Sequence, residues 1–418
     1  MIKKSFGQLM GLTLVAVLLL SACKKDMGQI EPPEVVLNKA ITQATKIYEE
    51  KMELKMSFSD ATKKNSGEIN MKASGKNNSK DINNLQSDVD IDGSMNIKAD
   101  QGEEKGQGKA TIAFAGNIKN IGEDIYGSLT QLDLDGDLEG LEEAKATLPV
   151  FLTPYMNETV KLPLGELMDL TEEVNKQAQL QGQPPLDYEA MKKYSLEQGP
   201  KDVADSKMIV ATKDHGIEKV KSLGGKSVQA YHYEIGFDGE GLKTFLKKFN
   251  ESTQMIPENE LQELLKDENS SSFSELTSVL NEAITMHVWI GQTDYQLYKM
   301  EVTSDLKNLQ AALNKVQELE GASAEDLMSD EEKEFFDKGS FELKITDERS
   351  PLNSFNLKKP DDKDVIDLGP MLKLFMNQAV NQMNPGNELQ MLDNSGNAGL
   401  SEEEMQKMLD SLSTTPAQ

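Results

Sequence analysis

Glu68-Ile69-Asn70-Met71-Lys72-Ala73, Asp88-Val89-Asp90-Ile91-Asp92 and Lys109-Ala110-Thr111-Ile112-Ala113-Phe114 alternate polar and apolar residues, and Gly, Asn, Asp and Ser separate the runs. Successive side chains of a strand point to opposite faces. This alternation therefore gathers the apolar set on one face and leaves the other wet. Residues 52–130 read as about five antiparallel strands on this pattern.

Strands return near residue 207. Ser206–Thr212 and Ile217–Lys221 lead to the turn Gly224-Gly225, and Lys226–Asp238 follows as a long strand. Tyr231, Tyr233, Ile235 and Phe237 share one of its faces, with His232 and Glu234 on the other. Ile284–Asp305 reads as a hairpin turning at Gly291–Asp294, and Phe341–Thr346 as a last strand.

Helical spacing sets the rest. Leu37, Ala40, Ile41, Ala44, Ile47 and Tyr48 recur every three or four residues and predict a helix over 34–50, started by Pro32-Pro33. Residues 139–200 read as helical, with Leu164, Leu167, Met168, Leu170 and Val174 on one face. Three helices are expected between the strand ending at Asp238 and the hairpin. They carry Leu242, Phe245, Leu246 and Phe249, then Leu261, Leu264 and Leu265 after Pro257, then Leu276, Val279 and Leu280. Ser272 and Glu275 stand at capping-box spacing before the third. A further helix near Leu309–Leu319 and an acidic stretch near Asp326–Asp337 look like an insertion.

The first residues carry a separate message. Lys3 and Lys4 precede an apolar run, Leu9–Leu20, that is short for a bilayer span of about 20 residues. The run ends in Leu20-Ser21-Ala22-Cys23, with small residues at a cleavage point and the chain's only cysteine directly after it. This matches a lipobox. The expectation is cleavage between Ala22 and Cys23 and diacyl or triacyl lipid on Cys23, anchoring the protein to the extracytoplasmic face of the cell membrane. The division expected is 1–22 signal peptide, 23–33 lipidated tether, 34–365 one sheet-and-helix domain, and 366–418 a C-terminal helix with a mostly disordered polar tail.

Composition narrows function. With Cys23 acylated no thiol remains, so disulfides, Cys-ligated metals and Cys nucleophiles are excluded. The formal charge of -27 falls to -29 when Lys3 and Lys4 leave with the signal. A surface this acidic repels phosphate backbones, which argues against nucleic acid as a partner.

The element order, with Val228-Gln229-Ala230-Tyr231-His232-Tyr233 and its following helix, then Val288-Trp289-Ile290 leading into Asp294-Tyr295-Gln296-Leu297-Tyr298-Lys299-Met300, resembles the LolA/LolB-like bacterial lipoproteins of the LppX/LprG type over about residues 34–365. That resemblance implies an α+β half-barrel, a curved antiparallel sheet of roughly ten strands with helices covering its concave face. It also implies a lipid or other hydrophobic ligand held between sheet and helices. The chain is longer than typical members and carries extra helical and acidic insertions.

No catalytic motif competes with this reading. Asp88–Gly93 matches the first half of a calcium loop, but Ala99 stands where the bidentate Glu belongs, and Leu138 takes the glycine place after Asp133, Asp135 and Asp137. Gly225-Lys226-Ser227 lacks the upstream glycine of a phosphate loop, because that position is Val220. There is no G-x-S-x-G elbow. His215, His232 and His287 are far apart and show no metal spacing, although His232 and His287 lie on strands that could pair. The expectation is a protein that is not an enzyme and has neither cofactor nor metal. Its candidate ligand-lining residues are Tyr231, Tyr233 and Phe237, with Phe114 and Trp289. A filled-core scaffold or sensor that binds another envelope protein is the alternative.

Overall fold

The structure is a computed structural model that describes residues 31–101, 106–139, 141–163, 188–265, 270–320 and 330–369. Cys23, Ala22, the tether up to residue 30 and the tail from 370 lie outside the described residues. So do Leu164–Val174, expected to be helical.

The fold is α+β. Helix α1 (Pro33–Thr42) is followed by β1 (Ile47–Ser59), β2 (Ser66–Asn78), β3 (Gln86–Asp100), β4 (Gln107–Ile121) and β5 (Asp124–Gly136). These are the five strands that the alternating runs predict. After α2 (Leu141–Leu152) and β6 (Thr159–Pro163), a helical stretch ends in α3 (Gly199–Ser206). Then come β7 (Ile209–Lys221), β8 (Ser227–Phe237), α4 (Gly239–Thr253), α5 (Glu258–Leu264), α6 (Ser270–Ala283), β9 (Thr285–Gly291) and β10 (Leu297–Asp305). The chain continues through α7 (Leu306–Glu320), α8 (Asp330–Lys338), β11 (Ser340–Pro351) and β12 (Val365–Asp367).

All twelve strands join one open sheet, in the order β12-β6-β5-β4-β3-β2-β1-β11-β10-β9-β8-β7. Every neighbouring pair is antiparallel except β12 with β6. The expected count of roughly ten strands is therefore too low by β6 and β12. Both are short, and no alternating run of three to five residues separates itself from a loop or helix by pattern. β6 interrupts the region read as helical over 139–200 and corrects that reading.

The first helix is also shorter than the periodicity predicts. It ends at Thr42, and Ile47 and Tyr48 open β1. Tyr48 sits at helical spacing from Ala44 and also shares a strand face with Met52, Leu54 and Met56, so both periods fit it. The pairing of β1 with both β2 and β11 decides in favour of the strand. The two calcium-like acidic runs lie in β3 and at the end of β5, where the alternating apolar residues place them.

Helices α1, α3, α4 and α6 pack on one face of the sheet at β7–β10. Val36, Leu37, Ala40 and Ile41 of α1, Val203 and Ala204 of α3, Leu242 and Phe245 of α4 and Phe273 of α6 meet Tyr231, Tyr233, Ile235, Val288, Ile290 and Met300 in the main apolar cluster. Asp238 caps α4 by accepting from the Gly241 amide at 2.7 Å. Gly241 itself lets α4 approach the backbone of Lys207 and Met208, where a Cβ would collide. The cluster draws its buried members from β7–β10 and the helices, and none from β1–β6. Among the described residues no helix is long and apolar enough to cross a membrane.

Candidate functional site

The inner, helix-bearing face can be followed strand by strand through directly paired residues. Ala211, Ile235, Met286, Val302, Ile345, Leu54, Met71, Gly93, Phe114 and Leu132 form one row across ten strands. In the β7–β10 half this row lies under helices. In the β1–β5 half it continues as an apolar surface with Met52, Met56, Ile91, Met95 and Ile112. Phe58 and Met71 keep 38% of their surface exposed there, and Ile118 keeps 43%.

Four of the five sequence-predicted lining residues lie on this face. Tyr233 is fully buried and Tyr231 nearly so, both inside the packed cluster, and Phe237 packs against it. Burial raises the pKa of Tyr233, whose Oη makes no hydrogen bond. Phe114 stands apart in the open half, its ring lying over Gly93. Trp289 does not belong with them. It pairs with His232 and Lys299 on the outer face, because inward Val288 and Ile290 flank it on β9. This corrects its candidacy as a lining residue of the helix-bearing face.

A buried charge pair marks the inner face of β11. Arg349 Nε and Nη2 meet Asp347 Oδ2 at 2.8 and 2.7 Å, and Tyr48 faces the guanidinium at 5.0 Å. Burial pushes the Tyr48 hydroxyl up to about 12 and raises the Glu50 carboxyl, against the opposing pull of Arg349.

Trp289 instead belongs to a compact outer-face cluster. His232 stacks on Trp289 with ring centroids 4.2 Å apart and on His215 at 4.3 Å. His232 Nε2 lies 3.0 Å from His287 Nδ1, and its Nδ1 lies 3.0 Å from Glu218 Oε1. The second oxygen of Glu218 accepts from the Trp289 indole N–H at 3.1 Å. These bonds from Trp289 and His232 hold the Glu218 carboxyl below its ordinary range. His287 is held below the usual imidazole value by burial first and by its histidine neighbours second.

The pairing of β8 with β9 brings His232 beside His287, as strands that could pair would allow. His215 arrives by a different route. The register of β7 slips between Ala211 and Lys213 and again between Asp214 and Gly216, so His215 is an extra residue in a bulge. A bulge re-aims a side chain against simple alternation, which is why counting by twos does not find His215. The Glu218 bonds were likewise invisible, since one carboxylate among 71 acidic residues carries no signal by itself.

No protein-family model and no curated protein sequence matches the chain.

Proposed function

We propose that the protein is a non-catalytic, extracytoplasmic lipoprotein, anchored through lipid on Cys23, that binds a lipid or another apolar ligand on the inner face of its sheet. The observation that carries this reading is the uneven covering of that face among the described residues. Its apolar row runs unbroken from the helix-packed strands onto β1–β5, where Phe58, Met71 and Ile118 remain exposed. Monomeric soluble proteins rarely leave a contiguous apolar surface open without a use for it.

The lining favours a small apolar ligand. Met52, Met56, Met71 and Met95 all share the open half of the face. Methionine is unbranched and polarizable and adapts to irregular guests. The lipobox supplies the location, and the LolA/LolB-like resemblance supports the ligand class. The same open surface also favours the alternative in which the occupant is another envelope protein.

Native mass spectrometry of the full chain purified in mild detergent separates the two. A bound species in the lipid mass range, or uptake of added phospholipid, is the expected result. A spectrum with no adduct and no uptake from phospholipid vesicles would overturn the ligand reading. A chain that instead cross-links in whole cells to one envelope protein through β1–β4 would replace it with the scaffold.

A further inference from the structure

The outer face poses a separate question, because nothing in apolar-ligand binding uses it. The chain contains three histidines, and all three meet there although 17 and 55 residues separate them in sequence. Each offers a ring nitrogen within 4.8 Å of the other two. We propose that His215, His232 and His287 form a binding site for one divalent transition-metal ion on the face opposite the helices.

The donor set fits such an ion. Imidazole nitrogen suits zinc, copper and nickel, whereas calcium and magnesium require oxygen. Two nitrogens on one tetrahedral zinc at about 2.0–2.1 Å sit roughly 3.3 Å apart. His232 Nε2 and His287 Nδ1 are already 3.0 Å apart, so a few tenths of an ångström of opening admits the ion between them.

Three further features point the same way. His215 Nε2 is buried and makes no hydrogen bond, while Glu234 Oε2, at 3.8 Å, is outside hydrogen-bond reach. A buried ring nitrogen with no hydrogen bond, beside two others, is placed to serve as a ligand atom. Glu218 engages His232 through Nδ1 and so fixes the ring with Nε2 facing His287 Nδ1, where an ion would replace their contact, the carboxylate–histidine–metal arrangement that orients a ligating ring. Glu234, paired opposite His287 on β8, is placed to supply a fourth ligand through a carboxylate oxygen. The strongly negative chain adds a favourable field for any cation.

The site contains its own reporter. Trp289 is the only tryptophan, and it stacks on His232. The full chain, stripped with EDTA, is titrated with Cu²⁺ and Ni²⁺ while the indole fluorescence is followed. Zn²⁺ binding is measured by calorimetry. The expected result is quenching that saturates at one equivalent, reverses with EDTA and is competed by Zn²⁺. H215A/H287A should weaken binding by far more than tenfold, and E218Q by about 10–100-fold, the usual effect of losing the carboxylate behind a ligating histidine. Circular dichroism checks that each variant folds. H215Q/H287Q serves if the alanine pair does not. Equal binding by wild type and a folded double variant would assign the ion to the acidic surface and overturn the site, as would the absence of both quenching and Zn²⁺ heat.

Discussion

Arg349 and Asp347 stand two residues apart on one face of β11 and are both almost completely buried, with two guanidinium nitrogens converging on the single oxygen Oδ2. Removing the guanidinium leaves the Asp347 carboxylate buried without its counter-charge. R349M is therefore expected to lower unfolding free energy by about 3–5 kcal/mol, measured by urea titration. R349M/D347L should regain most of that loss, since matched apolar replacements of buried pairs are often neutral. If the double variant is as unstable as R349M, the damage arises from lost packing against Tyr48 and not from the isolated charge.

Tyr233 presents the opposite case, a buried polar atom with no partner at all. An unsatisfied buried hydroxyl costs about 1–3 kcal/mol relative to a satisfied one, and the Tyr233 ring is already fully buried in the core cluster. Y233F removes the hydroxyl and keeps the ring. Its denaturation midpoint should rise, by an amount corresponding to about 1 kcal/mol. A fall of similar size would mean that the hydroxyl is satisfied in solution by water or by a bound ligand.

Much of this arrangement is legible in the chain. Strict alternation in residues 66–121 specifies β2, β3 and β4, because each has one apolar and one polar face and a one-residue slip would invert both. The Gly224-Gly225 turn and the Gly291–Asp294 turn locate β7–β8 and β9–β10. What the chain does not declare depends on long-range pairing. Tyr48 satisfies a helical and a strand period at once, and pairing with β2 and with β11, some three hundred residues later, decides between them. Trp289 is apolar and flanked by Val288 and Ile290, so its outward direction follows only from the register with His232. The histidine cluster depends on a bulge that local pattern does not reveal.

The pH response of the metal-free protein follows from two outer-face groups of opposite kind. Below its ordinary value of 6.5 the unfolded imidazole of His287 takes up a proton before the folded one does. Folding stability is then complete above about pH 6.5 and declines as pH falls through the window beneath it. His232 and His215 deepen that decline, while Glu234 and Glu301 oppose it. Glu218, also depressed, contributes stability above its ordinary 4.5 that is lost only as pH falls through its lower folded value. In EDTA, H287Q should show a shallower loss of Tm than wild type between about pH 7 and 5.5. Parallel curves would show that His287 titrates alike in folded and unfolded chains.

The division of the inner face into a packed half and an open half can be tested by placing the same charge in each. Met286, on β9, is buried in the core cluster beneath the helices. Met71, in the same row on β2, remains 38% exposed. A carboxylate forced into the first position has neither water nor a partner and must protonate or disrupt its surroundings. M286E should therefore destabilise the fold by several kcal/mol or prevent folding altogether. M71E can turn its charge to solvent and should cost under about 1 kcal/mol in chemical denaturation. It should also abolish lipid uptake, because an anion in the middle of the apolar surface repels an acyl chain without altering the scaffold. If M71E proves as damaging as M286E, β2 is as closely packed in solution as β9, and the surface assigned to the ligand does not exist.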